Sequence, residues 1–270
     1  MLYVFLVLAL LASCALTWAA SGFATLHALW QVPVFFAGSF LALVLLFLLV
    51  VLISCLFVDP KKLLEKPSGY FRFLLNEFCR LALALGGVHV NVTGLEKVPR
   101  DSRFLLVSNH RFAFDPLVFY SSMPWADLAF LSKKENFSIF VVAQIMRKVL
   151  CLPVDRNNDR ESLKSILKAI QFIKDDKASI AVFPEGRTNR TADPLLPYRC
   201  GVFKIAQKAN VPIVVATIEG TERIAHNVPW RRTHVYLRIR EVIPAETVKA
   251  TKTNNLTEGI RSKMLAELGK

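Results

Sequence analysis

Charged residues are missing from the first part of this chain. From residue 1 to residue 58 there is no Asp, Glu, Lys or Arg, so all 34 basic and 21 acidic residues lie in the later part of the 270-residue chain. That later part is about a quarter charged, as ordinary soluble domains are. Such an uneven distribution excludes both an ordinary cytosolic protein and a disordered one.

Cysteine is scarce and shows no pairing pattern. The five cysteines form no C-x-x-C pair, and two of them, Cys14 and Cys55, lie in the uncharged part. This pattern indicates neither a disulfide framework nor a zinc site, so we expect reduced cysteines and no metal. The sequence also lacks a Gly-rich phosphate loop, internal repeats and low-complexity tracts, and it therefore gives no sign of a nucleotide-binding loop or a repeat array.

Two long apolar runs, residues 2–20 and 32–58, fill the uncharged part. About 20 helical residues cross the hydrocarbon core of a bilayer, so each run is long enough to span it. We predict a two-helix membrane hairpin over residues 1–58, followed by a linker and amphipathic helix over residues 59–87. Two alternatives stay open: a cleaved signal peptide in place of the first helix, or a hairpin that lies in one leaflet.

Basic residues follow the second apolar run: Lys61, Lys62, Lys66, Arg72 and Arg80. The positive-inside rule therefore places the polar domain on the cytoplasmic side of the membrane. The formal net charge of +13 has a ready partner in anionic headgroups. Nucleic acid is the rival partner, but the basic residues are spread along the domain and no nucleic-acid-binding signature occurs. We expect membrane phospholipids, and no nucleic acid, as partners.

Short apolar runs alternate with helical patterns in the later part. Strands are predicted over residues 88–92, 104–107, 128–131, 152–154, 180–183, 213–218 and 235–239. The clearest helix covers residues 161–174, with one predicted apolar face: Leu163, Ile166, Leu167, Ile170 and Ile173. This alternation predicts an α/β fold with a mixed, mostly parallel sheet flanked by helices. Functional residues of such sheets usually lie where a strand turns into a helix.

The turn after the strand predicted over residues 104–107 contains His110 and Asp115. In one continuous helix their side chains would lie about 140° apart, because each residue turns the helix by about 100°. We predict instead that Asp115 is the N-cap of a helix that starts at Pro116, which lets the two side chains meet. A histidine oriented by a carboxylate is suited to act as a general base. The alternative is a capping aspartate beside a surface histidine.

Two further strand ends carry arginines. The turn after the strand predicted over residues 180–183 combines a carboxylate, a glycine, a hydroxyl and two arginines: Glu185, Gly186, Arg187, Thr188 and Arg190. Glycine permits close approach of the backbone, and guanidinium groups suit a phosphate. Arg156 follows the strand predicted over residues 152–154 and offers either a phosphate contact or an ion pair with Asp155. The alternative for the first turn is a solvated loop with surface arginines.

In their order along the chain, these segments resemble the four blocks of the glycerolipid acyltransferases typified by 1-acylglycerol-3-phosphate acyltransferase. The blocks are Asn109-His110 with Asp115, then Pro153 to Arg156, then Phe183-Pro184-Glu185-Gly186, then Val211-Pro212-Ile213-Val214. The resemblance covers roughly residues 85–225, and four ordered blocks are far more specific than any one of them. It implies an acyltransferase catalytic domain over residues 88–270.

The resemblance implies transfer of an acyl chain from acyl-CoA or acyl-carrier protein to 1-acylglycerol-3-phosphate, which gives phosphatidic acid. No cofactor and no metal would be needed. His110 would be the general base and Asp115 its orienting partner. The substrate-binding set would be Arg156, Glu185, Gly186, Arg187, Thr188 and Arg190.

The chain departs from the family pattern at two places. Glu-Gly-Thr-Arg is usual in the third block, whereas this chain has Glu185-Gly186-Arg187-Thr188, so either Arg187 or Arg190 could bind phosphate. A second proline is usual in the fourth block, where this chain has Val215. Alternative functions are acylation of another lysophospholipid or of glycerol 3-phosphate, a membrane-bound lipid hydrolase, and an inactive lipid-binding scaffold.

Overall fold

A computed structural model describes residues 1–23, 26–59, 66–155 and 158–268 of the chain. The chain divides into two units, Met1–Asp59 and Pro60–Lys270. The first unit is a pair of packed helices, α1 (Leu2–Ser21) and α2 (Ala28–Leu56). Each is long and apolar enough to cross a membrane, which is consistent with membrane association. The side on which the second unit lies stays a prediction.

Small and polar side chains let the two helices approach closely. Ala9, Ser13 and Thr17 are fully buried in α1. The hydroxyl of Ser13 donates to the Leu10 carbonyl at 2.9 Å and that of Thr17 to the Ser13 carbonyl at 2.8 Å. Because each hydroxyl is satisfied within its own helix, it can be buried against the other helix without an unpaired polar group.

Among the described residues, seven strands of the second unit form one sheet in the order β1-β7-β6-β2-β5-β3-β4. Their bounds are Val88–Thr93 (β1), Leu105–Ser108 (β2), Leu128–Lys133 (β3), Leu152–Val154 (β4), Ser179–Val182 (β5), Ile213–Glu219 (β6) and Thr233–Ile243 (β7). Neighbours pair in parallel except β6 with β7. The predicted fold class is confirmed, and the carboxyl ends of β6, β2, β5, β3 and β4 lie at one edge.

Helices cover both faces of this sheet. Their bounds are Gly69–Leu85 (α3), Asp115–Ser122 (α4), Phe140–Lys148 (α5), Asp159–Lys174 (α6), Lys204–Ala209 (α7), Ile224–Asn227 (α8), Ala245–Ala250 (α9) and Thr253–Leu268 (α10). Alternate residues of the central strands, such as Leu105, Val107 and Ile180, pack with α6, α7 and α10 in one core. Buried parallel strands read as continuous apolar runs for this reason, which is why the sequence located all seven.

The apolar face predicted for α6 is partly wrong. The residues that α6 buries are Ser165, Ala169, Phe172 and Ile173. Leu163 and Leu167 were predicted on the buried face but are 54% and 58% exposed. Ser165 and Ala169, which the apolar pattern does not include, lie on the buried face instead. Hydrophobicity alone therefore does not decide which face of this helix is buried.

Arg72 of α3 contacts the beginning of β3. Its guanidinium donates to the carbonyls of Leu128 (3.2 Å) and Val149 (3.5 Å) and lies 3.2 Å from Asp127. The side chain is buried, so these partners replace the water that the charge would otherwise bind. Asp127 also pairs with Arg103 at 3.1 Å, and the charges at this end of β3 form one connected cluster.

Replacing Arg72 by alanine leaves the carbonyls of Leu128 and Val149 without this donor and removes one of the two arginines that pair with Asp127. We expect the free energy of unfolding to fall by about 3 kcal/mol, measured by urea unfolding in detergent. The control is Arg232→Ala, which removes an exposed arginine that forms no ion pair with any described residue. It should change the free energy by less than about 0.5 kcal/mol. Equal losses in the two variants would contradict the anchoring role of Arg72.

Candidate active site

A cavity of about 340 Å³ opens at the carboxyl edge of the sheet. Its lining comes from the ends of four strands: His110 after β2, Gly186 after β5, Lys133 at the end of β3 and Val154 at the end of β4. The parallel strands bring these distant segments together, because their carboxyl ends meet at the same edge. The lining combines polar groups with apolar side chains.

His110 and Asp115 meet beside this cavity. The Nδ1 atom of His110 lies 2.8 Å from Oδ2 of Asp115. The same oxygen accepts the backbone N–H groups of Arg111 (2.7 Å) and Phe112 (2.9 Å), and Oδ1 accepts the hydroxyl of Thr221 at 2.5 Å. Asp115 is fully buried, so these donors supply the solvation that its charge needs. The carboxylate thereby makes Nδ1 the donor and leaves Nε2 with a free lone pair.

The local geometry differs from the prediction in one respect. Helix α4 begins at Asp115 with Phe114 as its N-cap, and no side chain caps it. The Asp115 carboxylate faces back to the N–H groups of the preceding turn, whereas the predicted N-cap would face the helix. The turn therefore holds the carboxylate against His110. The predicted N-cap role of Asp115 is therefore wrong, whereas its side chain meets His110 as predicted.

The second nitrogen of His110 is accessible from the cavity. Its Nε2 atom lies 3.1 Å from the hydroxyl oxygen of Thr188, and both residues line the cavity. The imidazole stacks on Phe183 with 4.2 Å between ring centroids and a 9° angle between planes. Phe183 stacks in turn on Phe130 at 5.5 Å. An aromatic stack therefore fixes the ring plane, and the Thr188 hydroxyl shows where an alcohol would reach Nε2.

Two backbone clamps fix the turn that carries His110. The amide of Asn109 accepts the N–H of Ile218 and donates to its carbonyl, both at 2.8 Å, and it is fully buried. The N–H of His110 donates to Oε1 of Glu185 at 2.8 Å. The His110 carbonyl accepts the N–H of Asn189 at 2.7 Å. The turn is thus held by β6 on one side and by the segment after β5 on the other.

Glu185 contacts the backbone of the turn that carries His110. Its two carboxylate oxygens accept the N–H groups of His110 and Leu196, at 2.8 and 2.9 Å. It is buried and is not among the described residues that line the cavity. Burial raises the pKa of Glu185, and the two backbone hydrogen bonds oppose that rise. The structure therefore gives Glu185 a positioning contact with the backbone of His110, and its contact with substrate stays a prediction.

The chain is similar to known acyltransferases. The family model described as Acyltransferase matches residues 89–219. A 1-acyl-sn-glycerol-3-phosphate acyltransferase of Borreliella burgdorferi is 27% identical over 73% of this chain and 78% of its own. A probable 1-acyl-sn-glycerol-3-phosphate acyltransferase of Mycoplasma pneumoniae is 32% identical over 67% of this chain and 69% of its own.

This chain belongs to the glycerolipid acyltransferase family. The predicted resemblance is confirmed, and the chain is an enzyme of the acyltransferase class. A crystal structure of the lysophosphatidic acid acyltransferase PlsC of Thermotoga maritima has the same fold. It superposes with a TM-score of 0.62 and 22% identity over 82% of this chain and 86% of the other.

The acyltransferase brings only part of the predicted substrate-binding set to the cavity. Gly186 and Thr188 line it. Arg187 and Arg190 are exposed and are not among the lining residues that the structure describes. Arg156 lies outside the described residues. Within the described ranges, no three His, Cys, Asp or Glu side chains form a group that could hold a metal.

The cavity of the acyltransferase contains two cations that were not predicted, Lys133 and Arg199. Gly186 has φ of +69°, and a Cβ on it would lie 2.9 Å from Nε of Arg199. Only glycine accommodates both this backbone conformation and this close approach. The Arg199 backbone N–H donates to the Pro184 carbonyl at 2.8 Å, which ties the two segments together. Arg199 lies two residues before Gly201 in the sequence, but spacing alone does not place its side chain in the cavity.

Replacing Asn109 by alanine in the acyltransferase leaves the N–H and the carbonyl of Ile218 buried without partners. We expect the free energy of unfolding to fall by about 3 kcal/mol, because each orphaned group costs about 1–3 kcal/mol. Asn255→Ala, at an exposed position of α10, is the control and should shift it by less than about 0.5 kcal/mol. Urea unfolding measures both. A loss at Asn109 no larger than at Asn255 would show that the clamp adds nothing to stability.

Proposed function

We propose that this enzyme transfers an acyl chain from an acyl thioester to the free hydroxyl of 1-acylglycerol-3-phosphate, giving phosphatidic acid. The observation that carries the proposal is the His110–Asp115 pair, with Nε2 of His110 facing the cavity opposite a hydroxyl. The relatives named as 1-acyl-sn-glycerol-3-phosphate acyltransferases support this acceptor. The donor, acyl-CoA or acyl-carrier protein, is in either case a thioester.

His110 acts as the general base. The acceptor hydroxyl takes the place of the Thr188 hydroxyl at Nε2 and gives its proton to that nitrogen as its oxygen attacks the thioester carbonyl. The bond between carbonyl carbon and sulfur then breaks, and the thiolate leaves and recovers the proton from Nε2. Asp115 stabilises the imidazolium that forms in between. Neither a covalent acyl-enzyme nor a cofactor is needed for this sequence.

Lys133 and Arg199 are the groups best placed for the phosphate of the acceptor. Both line the cavity that holds His110, and the phosphate of 1-acylglycerol-3-phosphate is only a few covalent bonds from the reacting hydroxyl. Guanidinium and ammonium groups bind phosphate with charge-assisted hydrogen bonds. The apolar part of the lining, including Leu131, Val182 and Val202, suits acyl chains. Arg187 and Arg190 are thereby left as weaker candidates for the phosphate.

The two apolar helices give the reaction its setting. Lysophospholipids reside in bilayers, and helices of the length of α1 and α2 would hold the enzyme there. The basic residues that follow residue 58 favour a catalytic domain on the cytoplasmic side. Both acyl donors under consideration are water-soluble, and this side would give them access from the aqueous phase. Membrane phospholipids are therefore proposed as the partner surface.

Replacing His110 by alanine should lower kcat about 10³-fold, because a positioned general base typically contributes 10²- to 10⁴-fold. The assay uses the full chain in detergent with acyl-CoA and lysophosphatidic acid, and mass spectrometry of the phosphatidic acid formed. His226→Ala, at an exposed position of α8, is the control and should keep kcat. Unchanged turnover in His110→Ala would reject the base. Free fatty acid formed without acceptor would indicate a hydrolase.

A matched pair of variants tests whether Arg199 or Arg187 binds the phosphate. Arg199→Gln should raise the KM for lysophosphatidic acid roughly 10-fold or more, since a charge-assisted hydrogen bond is worth about 1.5–3 kcal/mol. Arg187→Gln removes the same charge from an exposed position outside the cavity lining and should change KM less than about threefold. A larger rise in KM for Arg187→Gln than for Arg199→Gln would instead assign the phosphate contact to the turn after β5, as the sequence predicted.

A further inference from the structure

A second pocket, of about 840 Å³, lies at the ends of β3 and β4 beside α5. Three cations line it, Lys133, Lys134 and Arg147, together with the carboxylates of Glu135 and Asp155. Lys133 pairs with Glu135 at 3.1 Å and Lys134 with Asp155 at 3.4 Å. Each lysine is therefore paired with one carboxylate. The net positive charge of the pocket lining is that of Arg147.

Arg147 has no anionic partner within the part of the chain that the structure describes. Its Nε atom is shielded from solvent and has no hydrogen-bond acceptor. The guanidinium carbon lies 5.7 Å from the ring centroid of Phe137, which is the contact that the structure shows for it. A shielded guanidinium N–H without an acceptor is costly. The pocket is therefore built to receive an anion, and planar donors beside two lysines suit a phosphate.

The distance between this pocket and His110 indicates which substrate carries the phosphate. Strands β5 and β3 separate β2 from β4, and neighbouring strands lie about 4.8 Å apart, so the ends of β3 and β4 are about 10 and about 15 Å from the strand that leads to His110. The acceptor's phosphate is only a few bonds from its reacting hydroxyl and cannot reach that far while the hydroxyl contacts Nε2. A thioester donor carries its phosphate at the far end of a long pantetheine arm. Lys133 lines both spaces, so the two are adjacent.

We infer that Arg147 and Lys134 bind a phosphate of the acyl donor, a thioester of phosphorylated pantetheine. The inference rests on the proposed function and adds a donor site to it. The thioester would lie in the cavity at His110, the arm would run along the ends of β5 and β3, and the phosphate would occupy the second pocket. Coenzyme A and a carrier protein both present this chemistry. An anionic lipid headgroup is the competing occupant.

The variant Arg147→Gln tests the donor site in the full chain in detergent. We expect the KM for hexadecanoyl-CoA to rise roughly 10- to 100-fold, because one charge-assisted contact is lost. The kcat at saturating donor and the KM for lysophosphatidic acid should stay within about twofold. Arg147→Lys should restore part of the donor affinity, and Lys134→Gln should shift KM in the same direction as Arg147→Gln. Lys208→Gln, an exposed lysine of α7, is the control and should leave every constant unchanged.

Donor analogues identify the phosphate. Hexadecanoyl-pantetheine has no phosphate and should show the same KM with the wild type and with Arg147→Gln. If the pocket binds the phosphate of the pantetheine arm, the KM values for acyl-CoA and for acyl-carrier protein both rise in the variant. If it binds the ribose phosphate of coenzyme A, only the KM for acyl-CoA rises. Both results support the donor site, whereas a rise in the KM for lysophosphatidic acid alone would overturn it.

Calorimetric titration with coenzyme A separates this inference from the proposed function, because no acceptor is present. A Kd that rises roughly 10-fold or more in Arg147→Gln supports the donor site even where no phosphatidic acid is formed. Equal Kd values in the two proteins, with acyl transfer intact, would show that the pocket does not bind the donor. Weaker binding of Arg147→Gln to vesicles of anionic lipid, with an unchanged donor KM, would assign the pocket to a headgroup. Melting temperatures verify folding, and Lys134→Gln carries the test if Arg147→Gln does not fold.

Discussion

The site depends on one buried carboxylate. Asp115 lies at the start of α4 with no exposed surface, and an isolated charge there would be very unfavourable. Two N–H groups of the preceding turn, the Thr221 hydroxyl and the His110 imidazole solvate it. The two N–H groups and the imidazole belong to the turn after β2, whereas Thr221 follows β6. The requirement that the carboxylate be solvated therefore fixes the turn, the ring and the end of β6 relative to one another.

A second buried carboxylate acts on the same histidine from the opposite direction. Glu185 follows β5 and holds the N–H of His110 and that of Leu196. One carboxylate therefore orients the side chain of His110 while the other holds its backbone, and Phe183 supports the ring plane. The turn that carries His110 is thus held by hydrogen bonds to two neighbouring strand ends. Such fixed geometry is what the proposed general base would need to meet an acceptor hydroxyl at a fixed point.

Positive charge is arranged along the same edge of the sheet. Arg199 and Lys133 line the cavity of His110, and Lys134 and Arg147 extend the positive lining to the ends of β3 and β4. Because the strands that end there are parallel, the edge forms a continuous line on which two substrates can lie end to end. In the proposed arrangement the acceptor would occupy the part near β5 and the donor would extend toward β4. The direction of the sheet edge would then separate the two phosphates.

The sequence by itself determined the fold class, the strands, the amphipathic helix α3 and the pairing of His110 with Asp115. These features are local: a buried parallel strand is a continuous apolar run, and the two site residues share one turn. Only the tertiary structure decided three features: the contact of Thr221 with Asp115, the inward direction of Glu185 and the presence of Arg199 in the cavity. Thr221 meets Asp115 across a large separation in the chain, and Arg199 packs against Gly186, where the backbone has a positive φ. Hydrophobic periodicity records which residues are buried, but the direction of a polar side chain beyond a strand end depends on partners that only the folded sheet brings close.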